Sequence, residues 1–120
     1  MVFVIQVNSA PYQCQSAYTA LQFSRAVLDN HQIKRIFFYH EGIYNAFVSS
    51  QAPADQIDMI AEWSALATDY HVDLLVCISA AQLRGLTQNH HSALLATGFR
   101  IGGLGEMVEA MIEADRLMVF

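Results

Sequence analysis

The hydrophobic residues of this 120-residue chain fall into short continuous runs, separated by segments of helical spacing. A short apolar run that ends in turn-forming residues predicts a β-strand, and a run that is apolar throughout is typical of a strand buried on both faces. The predicted strands are Val2–Val7, Ile36–Tyr39, Asp73–Ile78, Phe99–Ile101 and Asp115–Phe120. Strands buried on both faces favour a mostly parallel sheet.

The segments between these runs predict helices and two irregular stretches. Helices are expected over Ser16–Asn30, Asp55–Tyr70 and Ser79–Leu86, and again after the Gly102–Gly105 turn, whereas 43–54 and 87–97 are expected to be irregular. Strands that alternate with helices imply right-handed crossovers that cover both faces of a sheet. We therefore predict a single three-layer α/β domain over residues 1–120, with a five-stranded mostly parallel sheet of flavodoxin-like general plan.

The helix over Asp55–Tyr70 has two apolar stripes, which predicts that it is buried on two sides. The first stripe is expected to face the core and contains Ile57, Ile60, Ala61, Ser64 and Ala67. The second stripe contains Met59, Trp63, Leu66 and Tyr70. We interpret the second stripe as a subunit interface, and packing of its large residues over a neighbouring loop stays open as the alternative.

Composition also favours an interface. Hydrophobic residues make up 54% of the chain and charged residues only 14%, whereas ordinary domains are about a quarter charged. A chain this short has a high ratio of surface to volume, so a low charge content predicts that part of the outer surface is covered by partner subunits.

Charge and hydropathy exclude two classes of partner. The formal net charge is -5 and the six basic residues are scattered, so direct nucleic-acid binding is not expected. No apolar run approaches the roughly 20 residues of a membrane span, and the first residues lack the charged segment of a signal peptide. The two cysteines, Cys14 and Cys77, are far apart and form no C-x-x-C motif, which favours a reduced, cytoplasmic protein.

Cys77 is the strongest nucleophile predicted at the carboxyl edge of the sheet, where sites of such folds form. It ends a buried strand and precedes a helix, so the free backbone amides of Ser79 and Ala80 can stabilise a thiolate or a persulfide. Sulfur exchange further requires that a partner's cysteine can reach this thiolate. The alternative, that Cys77 is a small buried strand residue, remains open because free cysteine is often buried.

Other candidates at this edge are weaker. His40 and Glu41 could supply an acid or a base, and Tyr44 follows them in the same predicted loop. Cys14 could act as a resolving thiol if the ends of the first and third strands are neighbours, or it could simply pack at a helix start.

The sequence favours neither a metal nor a phosphate site. His90 and His91 are adjacent and cannot form an i, i+4 ligand pair, and no set of cysteines and histidines has zinc spacing. The run Gly102-Gly103-Leu104-Gly105 favours a tight strand-to-helix turn over a phosphate loop. We expect no metal and no organic cofactor.

Several segments together resemble the DsrE/TusD family of small sulfur-relay subunits over essentially the whole chain. The two most specific strings are FFYxEGxYNA at Phe37–Ala46 and CxxAAxxRG at Cys77–Gly85. Further matches are Gln22-Phe23, Gly103–Glu106, Glu109-Ala110 and Asp115-Arg116. The resemblance implies that Cys77 accepts sulfane sulfur as a persulfide and passes it on. As a separate hypothesis, the His40–Glu41 loop and Tyr44 line the pocket of this thiol.

The resemblance also implies partners. It suggests a heterohexamer with two related small subunits, TusB/TusC-like or DsrH/DsrF-like, a TusA-like sulfur donor and a TusE- or DsrC-like acceptor. The downstream use would be tRNA thiouridine synthesis or sulfur oxidation. Two features depart from the family pattern, a short 87–98 segment and the unexpected Cys14.

Two other functions stay open from the sequence. In one, the chain is a non-catalytic scaffold or small-molecule-binding module with a structural Cys77. In the other, it is a flavodoxin-like nucleotide-binding protein, which would carry a flavin.

Overall fold

The computed structural model describes residues 1–12, 15–47, 57–86 and 95–120. Its strands are β1 (Val2–Val7), β2 (Gln32–Phe38), β3 (Leu74–Cys77), β4 (Phe99–Gly102) and β5 (Arg116–Val119). Its α-helices are α1 (Gln15–Leu28), α2 (Met59–Tyr70), α3 (Ile78–Leu83) and α4 (Leu104–Glu113), and a 3-10 helix spans His40–Ala46.

These strands form one sheet in the order β4-β3-β2-β1-β5, and every pairing is parallel. The predicted α/β class and single five-stranded sheet are therefore confirmed. The chain moves outward from β1 to β4 and then returns to pair β5 with β1. Because parallel crossovers are right-handed, this return places α4 on the face opposite α1 and α2.

β2 begins earlier than the apolar pattern predicts. Phe3 pairs with Ile33 and Val4 pairs with Arg35, so Lys34 is an extra residue in the ladder. A bulge of this kind interrupts the alternation on which a pattern-based boundary depends. The exposed Lys34 instead forms an ion pair with Glu113 of α4.

The core on the α2 side corrects the interface interpretation. Met59, Trp63 and Leu66 are buried within the chain, and the Trp63 ring meets Phe38 edge-on with centroids 5.2 Å apart. Ile57, which was assigned to the core stripe, is 41% exposed. The subunit-interface interpretation of the second stripe is therefore wrong for these three residues, whereas Tyr70 of the same stripe is 51% exposed. A periodic pattern shows two apolar faces without showing which one meets the sheet.

On the opposite face, an ionic network joins the sheet to α4. Asp73 accepts hydrogen bonds from Arg35 of β2 and Arg100 of β4, and Arg100 also donates to the Glu106 carboxylate at 2.6 Å. Burial opposes the charge on Asp73, but the bonds from Arg100 and Arg35 outweigh it and hold the pKa of Asp73 below its usual range.

This network predicts a specific loss of acid stability. A carboxyl whose pKa is lowered by folding stabilises the fold above its unfolded pKa of about 3.9, and that contribution disappears as the pH falls through the folded value. We expect Asp73→Asn to lower the free energy of unfolding by about 1–3 kcal/mol at pH 7, because Arg35 and Arg100 lose a charged partner. Urea titrations should show the gap between the two proteins shrinking below about pH 4. A gap that stays constant down to pH 2.5, roughly a unit below that reference, would contradict this.

The outer surface of α4 and the edge strand β5 expose large apolar side chains. These are Leu104, Val108, Met111, Ile112, Leu117 and Val119. Both faces of a parallel sheet are normally covered, so an open apolar edge strand is unusual. Within the residues described, no helix is both long and apolar enough to cross a membrane.

Candidate functional site

Cys77 and Gly102 are neighbours at the carboxyl edge of the sheet, as the last paired residues of β3 and β4. β3 continues into α3, which begins the connection outward to β4, whereas β4 continues into α4 on the other face. Adjacent strands whose connections leave for opposite faces define the topological switch point at which α/β folds bind ligands. The topology therefore places Cys77 where a site is expected.

The Cys77 side chain caps the start of α3. Its backbone is extended, with φ -66° and ψ 118°, and its Sγ accepts a hydrogen bond from the Ala80 amide at 3.5 Å. The predicted Ala80 donor is thus present. Among the described contacts, the Ser79 amide makes no hydrogen bond to Sγ, and the Ser79 residue is exposed.

Burial of Cys77 is complete, with an exposed fraction of 0%. Every residue of β3 is buried, since the strand lies between β2 and β4. The expectation of a directly reachable thiol is therefore wrong for the single chain. The sequence predicted correctly that Cys77 ends a strand. It did not predict the burial, because the covering comes from the neighbouring strands and from the helix that follows at once.

The 3-10 helix packs beside this strand end and against α3. Gly42 permits the 3-10 helix to approach β1 closely, because a Cβ there would lie only 1.9 Å from the Val7 carbonyl oxygen. The fully buried Asn45 donates to the Ser9 and Gly42 carbonyls and accepts from Trp63 Nε1 at 3.1 Å. The 3-10 helix within this string therefore lies beside the end of β3, although the stretch was expected to be irregular from Ile43 onward.

An ion pair connects the 3-10 helix to the end of α3. Arg84 donates to Glu41 Oε1 from Nη2 at 2.7 Å and from Nε at 3.2 Å, and its Nη1 donates to the Ala80 carbonyl at 3.0 Å. Sequence reasoning did not assign Arg84 a role. The available signal was that each of the two specific strings contains one charged residue and that the charges are opposite, Glu41 in the first and Arg84 in the second.

The remaining candidate residues lie in the 3-10 helix. His40 is exposed, has φ 50°, and its ring lies 4.0 Å from the Tyr39 ring, centroid to centroid. Tyr44 is half-buried against the core. No contact joins His40, Glu41 or Tyr44 to Cys77 among the described hydrogen bonds, so their roles at the site remain predictions.

Two other expectations concern cysteine and histidine. Cys14, His90 and His91 lie outside the described residues. The condition for a resolving Cys14 was that β1 and β3 be neighbours, and β2 separates them. The parts of the chain that the structure describes contain no group of three His, Cys, Asp or Glu side chains placed to hold a metal.

The glycine run behaves as predicted. β4 ends at Gly102, Gly103 is the N-cap residue, and α4 begins at Leu104. A Cβ at Gly102 would collide with the Glu106 carboxylate, which occupies that space while it bonds Arg100. The strand-to-helix turn is confirmed.

Fold and site together define a small α/β protein with a helix-capping thiol at the switch point of its sheet. The chain belongs to the DsrE/DsrF-like family, whose family model matches residues 1–120.

Individual relatives agree with this assignment over their full length. The chain is 41% identical to the DsrE protein of Allochromatium vinosum, with 100% of this chain and 98% of the relative covered. It is 37% identical to a protein named sulfurtransferase TusD from Salmonella newport strain SL254, with both chains fully covered. A third relative, the sulfurtransferase TusD of Cronobacter sakazakii, is 35% identical over the full length of both chains.

A solved structure supports the fold independently. The crystal structure of the ychN protein from E. coli superposes with a TM-score of 0.84 and covers 100% of this chain and 99% of that one. Because the two sequences are 23% identical, this similarity concerns the fold alone.

Proposed function

We propose that the chain is a sulfurtransferase subunit that accepts sulfane sulfur on Cys77 as a persulfide and passes it to a partner protein. The observation that carries the proposal is the cysteine at the switch point, whose Sγ accepts a hydrogen bond from the Ala80 amide at the start of α3. Relatives that cover the whole chain and are named sulfurtransferases support the same reaction class.

The proposed transfer is a thiol–persulfide exchange. The Cys77 thiolate attacks the outer sulfur of a donor persulfide and forms a new S–S bond. The donor's own S–S bond breaks, and its electron pair stays on the donor cysteine, which leaves as a thiolate and takes up a proton. The second transfer repeats these events with Cys77 as the donor, so no external oxidant or reductant is needed. The Ala80 amide would stabilise the sulfur anion at each stage.

Complete burial of Cys77 sets a requirement for this exchange. Since Sγ is 0% exposed in the single chain, α3 or the 3-10 helix must move when a partner docks. The α3 helix is only six residues long and Leu83 on its surface is 85% exposed, so α3 can open locally without unfolding of the rest of the chain.

The partners proposed are two related small subunits, TusB/TusC-like or DsrH/DsrF-like, in a cytoplasmic heterohexamer. A TusA-like donor would load Cys77, and a TusE- or DsrC-like acceptor would unload it, for tRNA thiouridine synthesis or for sulfur oxidation. Support for the assembly comes from the exposed apolar residues of α4 and β5, and from a chain that is only 14% charged.

The test is an intact-mass measurement after incubation with a persulfide-bearing carrier protein. We expect the native chain to gain the mass of one sulfur atom and to lose it on addition of a reductant. A chain that gains no sulfur while folded, alone or with candidate partner subunits present, would contradict the proposal.

Burial favours a second candidate function. A fully buried thiol suits a scaffold or small-molecule-binding subunit in which Cys77 is structural. Alkylation of the native assembly separates the two functions, because a structural thiol reacts only on unfolding, whereas a sulfur-accepting thiol also reacts while the protein is folded.

A further inference from the structure

We propose that Arg84 is a positioning residue for Cys77, which fixes the first turn of α3 so that the Ala80 amide faces Sγ. The proposal rests on the function proposed above and adds a residue to its site. Three described contacts carry it, and they connect the 3-10 helix to the sulfur through one guanidinium.

The first contact is the ion pair with the 3-10 helix. Glu41 Oε1 accepts from both Nε and Nη2 of Arg84, at 3.2 and 2.7 Å. Two donors on one acceptor restrict the guanidinium more than a single bond would. The Arg84 side chain is 21% exposed and that of Glu41 is 51% exposed, so the guanidinium is the more shielded half of the pair.

The second and third contacts share the residue Ala80. Arg84 Nη1 donates to the Ala80 carbonyl at 3.0 Å, and the Ala80 amide donates to Cys77 Sγ at 3.5 Å. A six-residue helix is marginal by itself, so its first turn needs tertiary contacts to hold a fixed orientation. The tertiary contact is the pair of Arg84 with Glu41, and the local bond from Arg84 to the Ala80 carbonyl connects that pair to the residue whose amide meets the sulfur.

Charge alone is the competing explanation, and the pair allows a test of it. Replacing Arg84 by Gln removes a positive charge near Cys77, whereas replacing Glu41 by Gln removes a negative one. An effect of charge alone would shift the ionisation of the thiol in opposite directions in the two variants. A positioning effect shifts it in the same direction, because either substitution releases the Ala80 turn.

The measurement is an ultraviolet titration of the thiolate in full-length protein with Cys14→Ser as the background. The same protein with Cys77→Ser is subtracted, so only Cys77 contributes to the signal. Absorbance reports a buried thiolate as well as an exposed one, so the result does not depend on access. We expect the midpoint to rise in both Arg84→Gln and Glu41→Gln by about half to one pH unit, which is roughly a three- to tenfold loss of thiolate below the midpoint.

Two further variants complete the design. Arg84→Lys keeps the charge but loses the planar fork, so its midpoint should also rise; this milder variant serves if Arg84→Gln does not fold. Arg25→Gln removes a comparable surface ion pair, with Glu62 between α1 and α2, and should leave the midpoint unchanged.

Opposite shifts in Arg84→Gln and Glu41→Gln, or no shift in either, would overturn the assignment of Arg84. Failure of the parent protein to take up sulfur would instead overturn the proposed function, and the titration would still decide whether Arg84 positions the Ala80 turn.

Discussion

Cys77→Ser is expected to abolish sulfur uptake while leaving the protein folded. Serine is among the preferred N-cap residues, so its Oγ can accept the Ala80 amide bond that Sγ accepts now. The cost of the buried hydroxyl should be about 1 kcal/mol, which most folded domains tolerate. A hydroxyl cannot form a persulfide, so the intact mass should show no added sulfur after incubation with a persulfide donor.

Cys14→Ser is the matched control, since it removes the chain's other cysteine. It should take up sulfur to the same extent as the parent protein. Sulfur uptake that survives in Cys77→Ser and disappears in Cys14→Ser would show that Cys14 is the acceptor, which would contradict our account.

Gly42→Ala is expected to cause a large loss of stability, because this glycine lies against the backbone of β1. The new Cβ would lie 1.9 Å from the Val7 carbonyl oxygen and 2.8 Å from its carbon, and both are backbone atoms. The Val7 carbonyl also accepts the Tyr39 amide at 2.9 Å, so β1 cannot retreat without breaking that bond. We expect the free energy of unfolding to fall by about 3 kcal/mol or more, measured by urea denaturation.

The control for this substitution is Gly105→Ala. A Cβ at Gly105 meets nothing within 4 Å, and the residue lies in the first turn of α4, where alanine is the better helix former by up to about 1 kcal/mol. We expect Gly105→Ala to be neutral or stabilising. Equal losses in both variants would mean that the close approach of the 3-10 helix to β1 is not what Gly42 provides.

The fold was predictable to the extent that it depends on local pattern. Apolar runs located β1, β3, β4 and β5 to within a few residues. For β3 the reason is burial on both faces, which leaves no polar position in the run, whereas β5 was located because its exposed side chains are themselves largely apolar. The start of β2 was missed, since Gln32 and Lys34 are polar and a bulge breaks the alternation. The stripe containing Trp63 was assigned outward because only tertiary packing determines which apolar face meets the sheet.

The position of Cys77 at a strand end was predictable from the sequence, whereas its burial and its surroundings were not. The sequence predicted that the backbone amides of Ser79 and Ala80 face Cys77; the Ala80 amide bonds Sγ, and the described contacts contain no such bond from the Ser79 amide. Burial of Cys77 did not follow from the sequence, because it depends on neighbouring strands and on the 3-10 helix. The Glu41–Arg84 pair joins residues 43 positions apart, so no local pattern could identify it.

The most direct test of the central claim is peptide mapping of the protein after it has been loaded with isotopically labelled sulfur by a persulfide donor. Our account predicts that the label is found on the peptide that contains Cys77 and is released by reductant. Label on the peptide that contains Cys14, or a native protein that carries no label at all, would contradict it.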